Sequence, residues 1–334
     1  MTTNPPRTCI VGLGAVGGLI GARIARAGHP VSALARGATL DAVRRDGLTL
    51  IEQVDGRETR ASLRVEASDH PQELGVQDLV IVAVKTTALG SIAESIGPLV
   101  GPQTAIVSAM NGVPWWFFHG LGARWRDTRL AACDPVGAIA RAMPAAQVIG
   151  CVVHLSSAMP QPGVVAHRSG HRLIVGAPGG AAHPRLPALA GLLGDAGFEV
   201  ERSAGIERDV WLKLWGNMTV NPISALTGAT GDRILADDFV RESMSQAMRE
   251  AAAIGEAIGL PVGMTPEERH AITRKLGAFR TSMLNDVEAG RPIELDALVG
   301  AVVEMGRLTG VPTPAIDALF GLARLFGRVH GLYP

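Results

Sequence analysis

The sequence predicts an α/β Rossmann-type N-terminal domain with added antiparallel strands, followed by an all-α C-terminal domain. Three observations carry this expectation. A glycine-rich turn stands between an apolar strand and a helix-period segment near the start of the chain. Continuous apolar runs recur at Asp78–Val84 and Gln103–Ser108, as strands buried on both faces of a parallel sheet require. Beyond Leu186, nearly every periodic stretch has helical spacing.

The first of these is Cys9–Val11 followed by Gly12-Leu13-Gly14-Ala15-Val16-Gly17 and a helix ending at Gly28. Gly12 permits the tight turn, Gly14 lets the backbone approach a pyrophosphate, and Gly17 lets the helix pack closely on the strand. The helix N-terminus then offers unpaired N–H groups to the anion. A second strand, Pro30–Ala35, ends at Arg36-Gly37. A site for NAD places an acid near that strand end to accept from the ribose 2′-hydroxyl. Arg36 stands there instead, and its planar fork suits a 2′-phosphate, so NADP(H) is favoured. A solvated turn arginine is the bland alternative.

Size and composition bound the remaining possibilities. The 334 residues are enough for two cores, and 47 % hydrophobic with 19 % charged residues is a globular balance. Lys+Arg and Asp+Glu both number 31, which gives no net pull toward nucleic acid or an anionic membrane. No apolar run reaches the ~18 residues of a membrane span. Met1–Arg7 is polar and lacks a signal-peptide core, so a cytoplasmic location is expected. Cys9, Cys133 and Cys151 are odd in number and set in apolar sequence, as buried thiols are. The nine histidines show no metal-ligand spacing, and no metal site is expected.

Along the chain, Leu40–Gly47 reads as a helix, and Leu48–Val54 and Thr59–Val65 read as strands. The Asp78–Val84 strand ends in Lys85-Thr86-Thr87, and the Gln103–Ser108 strand in Met110-Asn111-Gly112. Ligands of open α/β sheets bind beyond such carboxyl ends, so Lys85 and Asn111 either face the cofactor or are ordinary strand-end polar residues. Pro114-Trp115-Trp116-Phe117-Phe118 is expected in a core, with a pocket wall as the alternative. Val148–Ser156, Gly163–His167 and His171–Val175 read as three antiparallel strands at the sheet edge, with their histidines satisfied or exposed. The domain boundary is placed near His183, giving a 1–182 dinucleotide-binding domain and a 183–334 helical domain. The cleft between such domains is a favoured place for small molecules.

Seven helices are expected after that boundary, with one strand at Phe198–Arg202. On the helix from Glu207 to about Leu226, Lys213, Asn217 and Asn221 follow i, i+4, i+8 spacing and share one face. Their neighbours are largely apolar, so this stripe faces either solvent or a functional cavity. Pro222 is expected to interrupt the helix just afterwards. A lysine in such surroundings has a lowered pKa, which suits a proton donor near neutral pH. Further on, Ser282 begins a helix, and Glu294 and Asp296 fall in the first turn of the next.

With GLGAVGG, ALARG, AVKT, MNG, PGVVAHRSG, KLWGN…NPISALTG and SMLND…GRPIELD all present, the chain resembles the ketopantoate reductase family over nearly its whole length. The resemblance implies NADPH-dependent reduction of a 2-oxo acid, with a C-terminal part like the helical domain of 6-phosphogluconate dehydrogenase. It implies that the Gly12–Gly17 turn and Arg36 hold the cofactor. Lys85 and Asn111 would lie beside it, with Asn111 also reaching the substrate. It further implies that Lys213 is catalytic and that Asn217, Asn221 and Ser282 bind substrate. Glu294 would stand at the nicotinamide end as a catalytic and cofactor-side residue. A homodimer is one candidate assembly. Two departures bear on specificity: Gly231 stands near the place of a family asparagine, and the Asn111–Gly150 connection is long. A dehydrogenase of another hydroxy acid and a non-catalytic NADP(H)-binding regulator are the competing readings.

Overall fold

The computed structural model describes residues 5–334. The chain forms two compact units, one comprising the residues up to 110 and 138–206, the other residues 111–137 and 207–334.

The first unit is built on one mixed sheet. Its strands are β1 (Thr8–Val11), β2 (Val31–Leu34), β3 (Leu48–Val54), β4 (Arg57–Leu63), β5 (Glu66–Ser68), β6 (Leu79–Val82), β7 (Ala105–Ser108), β8 (Val148–Gln161), β9 (Val164–Gly176) and β10 (Glu199–Arg202). Their order is β4-β3-β9-β8-β7-β6-β1-β2-β5, with β10 paired parallel to β9. β1 is parallel to both β2 and β6, with Val11 opposite Leu34 and Val82, so three carboxyl ends finish level. The chain moves outward from β1 to β2 and β5, then returns to build β6 and β7 on the other side. The gap between β1 and β6 is therefore the switch point at which such sheets take ligands.

Four sequence expectations change here. β8 and β9 do extend the parallel sheet, through β7, but they are not its edge: the β3–β4 hairpin lies beyond β9. The two strands expected on either side of Ser169-Gly170 are the single strand β9, with a register shift against β8. Gly170 absorbs the irregularity at φ +70°, where a side chain would press on the His154 carbonyl. Residues 183–206 remain with the sheet: Leu189, Leu192, Leu193 and Phe198 pack in one buried cluster with Ile10 and Leu19. The segment 111–137 joins the helical unit because Val113, Phe117, Phe118, Trp125 and Leu130 supply its apolar core. The aromatic run is thus core, as expected, but of the other unit.

The sheet also carries a buried ion cluster. Glu52, 5 % exposed, accepts from Arg23 Nε at 2.7 Å and from Arg26. Burial alone would raise its carboxyl, but the hydrogen bonds and charges of the two arginines more than offset this and lower it. A carboxyl held below its unfolded value stabilises the fold above the ordinary carboxylate range, and that stability is lost as the pH falls through the folded value. Glu52→Gln is expected to cost about 3 kcal/mol at pH 7, because it leaves buried charge uncompensated. In urea titrations this gap should narrow below about pH 4.

The helical unit packs around Ile206–Thr227, whose Trp211, Leu214, Trp215 and Met218 are buried. Trp215 Nε1 donates to the Met248 carbonyl at 2.7 Å, on the helix Asp238–Ile258. From the same helix, the buried Glu250 carboxylate accepts from the N–H groups of Ala315 and Ile316, each at 3.1 Å. It thereby caps the start of Pro314–Val329. Pro222 does not interrupt its helix, which continues through it to Thr227. Among the described residues no helix is long and apolar enough to cross a membrane.

Candidate active site

In the sheet unit the Gly12–Gly17 turn lies at the carboxyl end of β1. Gly12 has φ +94°, and its N–H donates to the Leu34 carbonyl of β2 at 3.0 Å. A side chain there would strike Val84. A Cβ on Gly17 would run into the Gly12 carbonyl oxygen and press on Ile10 and Ala83. Gly14 is different: it is exposed, and the space beside it is open. The helix Ala15–Arg26 starts there with no acid in its first turn, and its first N–H groups have no partner within the helix. Leu13 is buried beneath the turn, while Ala15 and Val16 are half-buried on it. These features fit an anionic pyrophosphate.

Arg36 lies two residues past β2, exposed, and among the described residues it has no acidic partner. No acid of the strand end competes for a ribose, so the donor set fits a 2′-phosphate. Lys85 is half-buried just past β6, at the start of the short turn Thr86–Ala88.

The second cluster belongs to the helical unit. Lys213 Nζ donates to Asn111 Oδ1 at 2.9 Å, across 102 residues of sequence. Asn111 is held there by the residues after it. Gly112, at φ +81°, leaves no room for a side chain against Ala297, and the Val113 N–H donates to the Ala297 carbonyl at 2.8 Å. Ala297 lies three residues beyond the buried Glu294, in a π-helical turn, Asp296–Gly300, that the sequence did not announce. The Asn111 segment and the Glu294 segment are therefore stitched together.

Asn217 is half-buried and Asn221 buried, one and two turns along from Lys213, and neither side-chain amide has a hydrogen-bond partner among the described residues. Ser282 is exposed at the first position of Ser282–Glu288; the cap of that helix is Thr281, which accepts from the Leu284 N–H at 3.1 Å. Thr281 also bonds Ser224 on the Lys213 helix at 2.5 Å, so Ser282 is anchored to that helix through its neighbour. The candidate residues thus fall in two sets, each within its own unit: Gly12–Gly17, Arg36 and Lys85 in the sheet unit, and Asn111, Lys213, Asn217, Asn221, Ser282 and Glu294 in the helical unit.

Sequence reasoning missed Arg269, whose guanidinium occupies the space that a side chain at Gly216 would take, on the Lys213 helix. It sits in a charged run, PEERH, that reads as a solvated face. A glycine within an otherwise bulky apolar helix was the available signal. Gly231 behaves likewise: the Phe279 ring fills its side-chain space, and its N–H donates to the Phe279 carbonyl at 2.9 Å. No metal-binding group of three or more ligands occurs among the described residues. Burial pushes the Cys9 thiol up to about 11, which makes it an inert core residue.

Two family models match the chain. The one described as ketopantoate reductase PanE/ApbA covers residues 8–116, and its C-terminal counterpart covers 205–326. A 2-dehydropantoate 2-reductase of Mesorhizobium japonicum is 43 % identical over 97 % of this chain and 98 % of its own. A solved Ralstonia solanacearum protein, described as a candidate ketopantoate reductase, is 54 % identical with a TM-score of 0.93, over 98 % of this chain and 99 % of its own. The 2-dehydropantoate 2-reductase of Geobacter metallireducens superposes with a TM-score of 0.82 at 28 % identity, covering 96 % and 99 %. With both halves of the chain matched and these identities spanning nearly its full length, the chain belongs to the ketopantoate reductase family.

Proposed function

We propose that the protein is an NADPH-dependent reductase of 2-dehydropantoate to pantoate, a step toward pantothenate and coenzyme A. The observation that carries the reading is the Lys213–Asn111 hydrogen bond, with Asn217 and Asn221 on the same helix face. A lysine Nζ oriented by an amide oxygen is placed to offer positive charge and a proton to a carbonyl oxygen, as reduction of a carbonyl requires.

When bound, NADPH supplies the hydride that reaches the C2 carbonyl. The Lys213 ammonium stabilises the charge developing on the carbonyl oxygen and passes a proton from Nζ to it. Asn217 and Asn221 orient the substrate's polar groups without adding charge, and Ser282 donates to its carboxylate. Glu294 stands beside the Asn111 segment, at the nicotinamide end of the site. Lys85 and Arg36 hold the cofactor from the sheet unit, and the Gly12–Gly17 turn receives the pyrophosphate. A cytoplasmic location belongs to the same proposal, supported by three free cysteines. So does a homodimer: Leu322, Leu325 and Val329, all well exposed, follow one another along one side of the helix Pro314–Val329.

The test is NADPH oxidation against a panel of 2-oxo acids, repeated with NADH. Ketopantoate should be the best substrate. Preference for another oxo acid rejects the substrate, and tight NADPH binding without turnover favours the regulator reading. In the same assay Arg36→Ala is expected to raise the KM for NADPH about 10- to 100-fold and to leave that for NADH nearly unchanged, because only NADPH carries the 2′-phosphate. An equal change for both cofactors would remove Arg36 from that role.

A further inference from the structure

Arg269 lies on the helix Pro266–Arg274, half-buried, and no part of the reaction as described above uses it. Its guanidinium rests on the Lys213 helix. Nη2, Nε and Cζ are 2.5, 2.6 and 2.9 Å from where a Cβ on Gly216 would stand. Gly216 is one turn on from Lys213 and next to Asn217. Side chains three apart on a helix begin about 5–6 Å from one another, so the guanidinium lies beside the root of the Lys213 side chain.

The charge there is unbalanced. Arg241, Arg249, Arg280 and Arg291 of the same unit each pair with an acid, and Arg274 is exposed to water. Among the described residues Arg269 has no acidic partner and no side-chain hydrogen bond, and its Nε is buried without an acceptor. A guanidinium held this far from water without an acidic partner is rare, and its charge is left for a complement from outside the chain. Nε and Nη2 both rest against Gly216, but of the guanidinium nitrogens only Nε is fully buried without an acceptor, so the Nη end of the fork is the accessible one. The natural complement of a desolvated guanidinium fork is a carboxylate, held bidentately.

We propose that Arg269 binds the carboxylate of the 2-oxo acid and makes the site selective for acids over neutral carbonyl compounds, with Gly216 present to admit the guanidinium. The inference rests on the proposed reduction of a 2-oxo acid. The two cations then have separate roles. Lys213 serves the carbonyl oxygen and Arg269 the carboxylate, so the substrate's charge is met without engaging the proton donor.

Steady-state kinetics of Arg269→Gln and Arg269→Lys test this, using ketopantoate and its primary amide with NADPH. The glutamine variant should raise the KM for the acid about 10- to 100-fold, with kcat within about threefold and the KM for NADPH unchanged. The lysine variant should recover part of the loss, and the amide should respond equally poorly to wild type and variants. Gly216→Ala, which keeps the arginine but displaces it, should move the same KM in the same direction; it also serves if Arg269→Gln does not fold. An unchanged KM for the acid overturns the proposal. So does a lysine variant no better than glutamine, or a loss that falls on kcat or NADPH. Wild-type protein inactive on every 2-oxo acid would instead reject the reductase reading itself.

Discussion

Lys213→Ala is expected to lower kcat by about 10³-fold or more while NADPH affinity stays within about threefold. Two losses combine in this variant. The proton source for the new alkoxide disappears, worth about 10²- to 10⁴-fold in comparable acid catalysis. The positive charge that favours that alkoxide disappears with it. The effect falls on kcat because both interactions strengthen as the carbonyl becomes an alkoxide, and neither is needed to hold the cofactor. Lys213→Arg separates them: it retains the charge but its group cannot release a proton near neutral pH, so it should recover only part of the rate. Pre-steady-state NADPH oxidation and equilibrium NADPH binding together check the prediction. A variant with near-normal kcat would remove Lys213 from catalysis. Asn111→Ala should give a smaller loss in the same parameter, since it removes the 2.9 Å bond that helps to orient Nζ.

The second large effect is expected at the glycine turn. Gly17→Ala puts a methyl group into the Gly12 carbonyl and against the Ile10 side chain, so the helix must move off β1. Overpacking of this kind costs about 1–3 kcal/mol, or roughly 2–12 °C in Tm for a unit of this size. NADPH affinity should fall about 100-fold or more, because the first helical N–H groups no longer point where the turn directs them. Gly14→Ala is the contrasting variant. Its φ is −77° and its surroundings are open, so Tm should stay within about 2 °C while NADPH binding weakens. Differential scanning calorimetry with and without NADPH distinguishes the two. If Gly14→Ala binds NADPH normally, the pyrophosphate does not lie on this turn.

The legible parts of this protein share a physical cause: they are written in short-range pattern. The strand–turn–helix at Cys9–Gly28 needs only contiguous residues, and the parallel strands announce themselves because burial on both faces demands unbroken apolar runs. Lys213, Asn217 and Asn221 were identifiable as one face because helical periodicity alone aligns them. Pro222 misled because a proline in a helix is tolerated when tertiary packing outweighs the lost hydrogen bond, and Ile223, Ser224 and Ala225 beyond it are buried. The Ser169-Gly170 break misled similarly: β8 supplies enough pairing on either side to carry β9 through a bulge. The chain division near His183 followed a run of proline and glycine, whereas contacts follow the cores. Leu189 and Leu193 are buried with the sheet, and Phe117 and Trp125 with the helices.

The sequence by itself determined the class of fold, the cofactor-type turn with its arginine in place of an acid, and the polar stripe on an apolar helix. Each depends on residues within a few turns or strand lengths of one another. Only the tertiary structure decided which distant groups meet. Asn111 reaches Lys213 because Gly112 and Val113 dock on Ala297. Arg269 settles on Gly216 because a residue without a side chain leaves room there for a guanidinium. Such pairings depend on packing between elements far apart in the chain, which local periodicity does not encode.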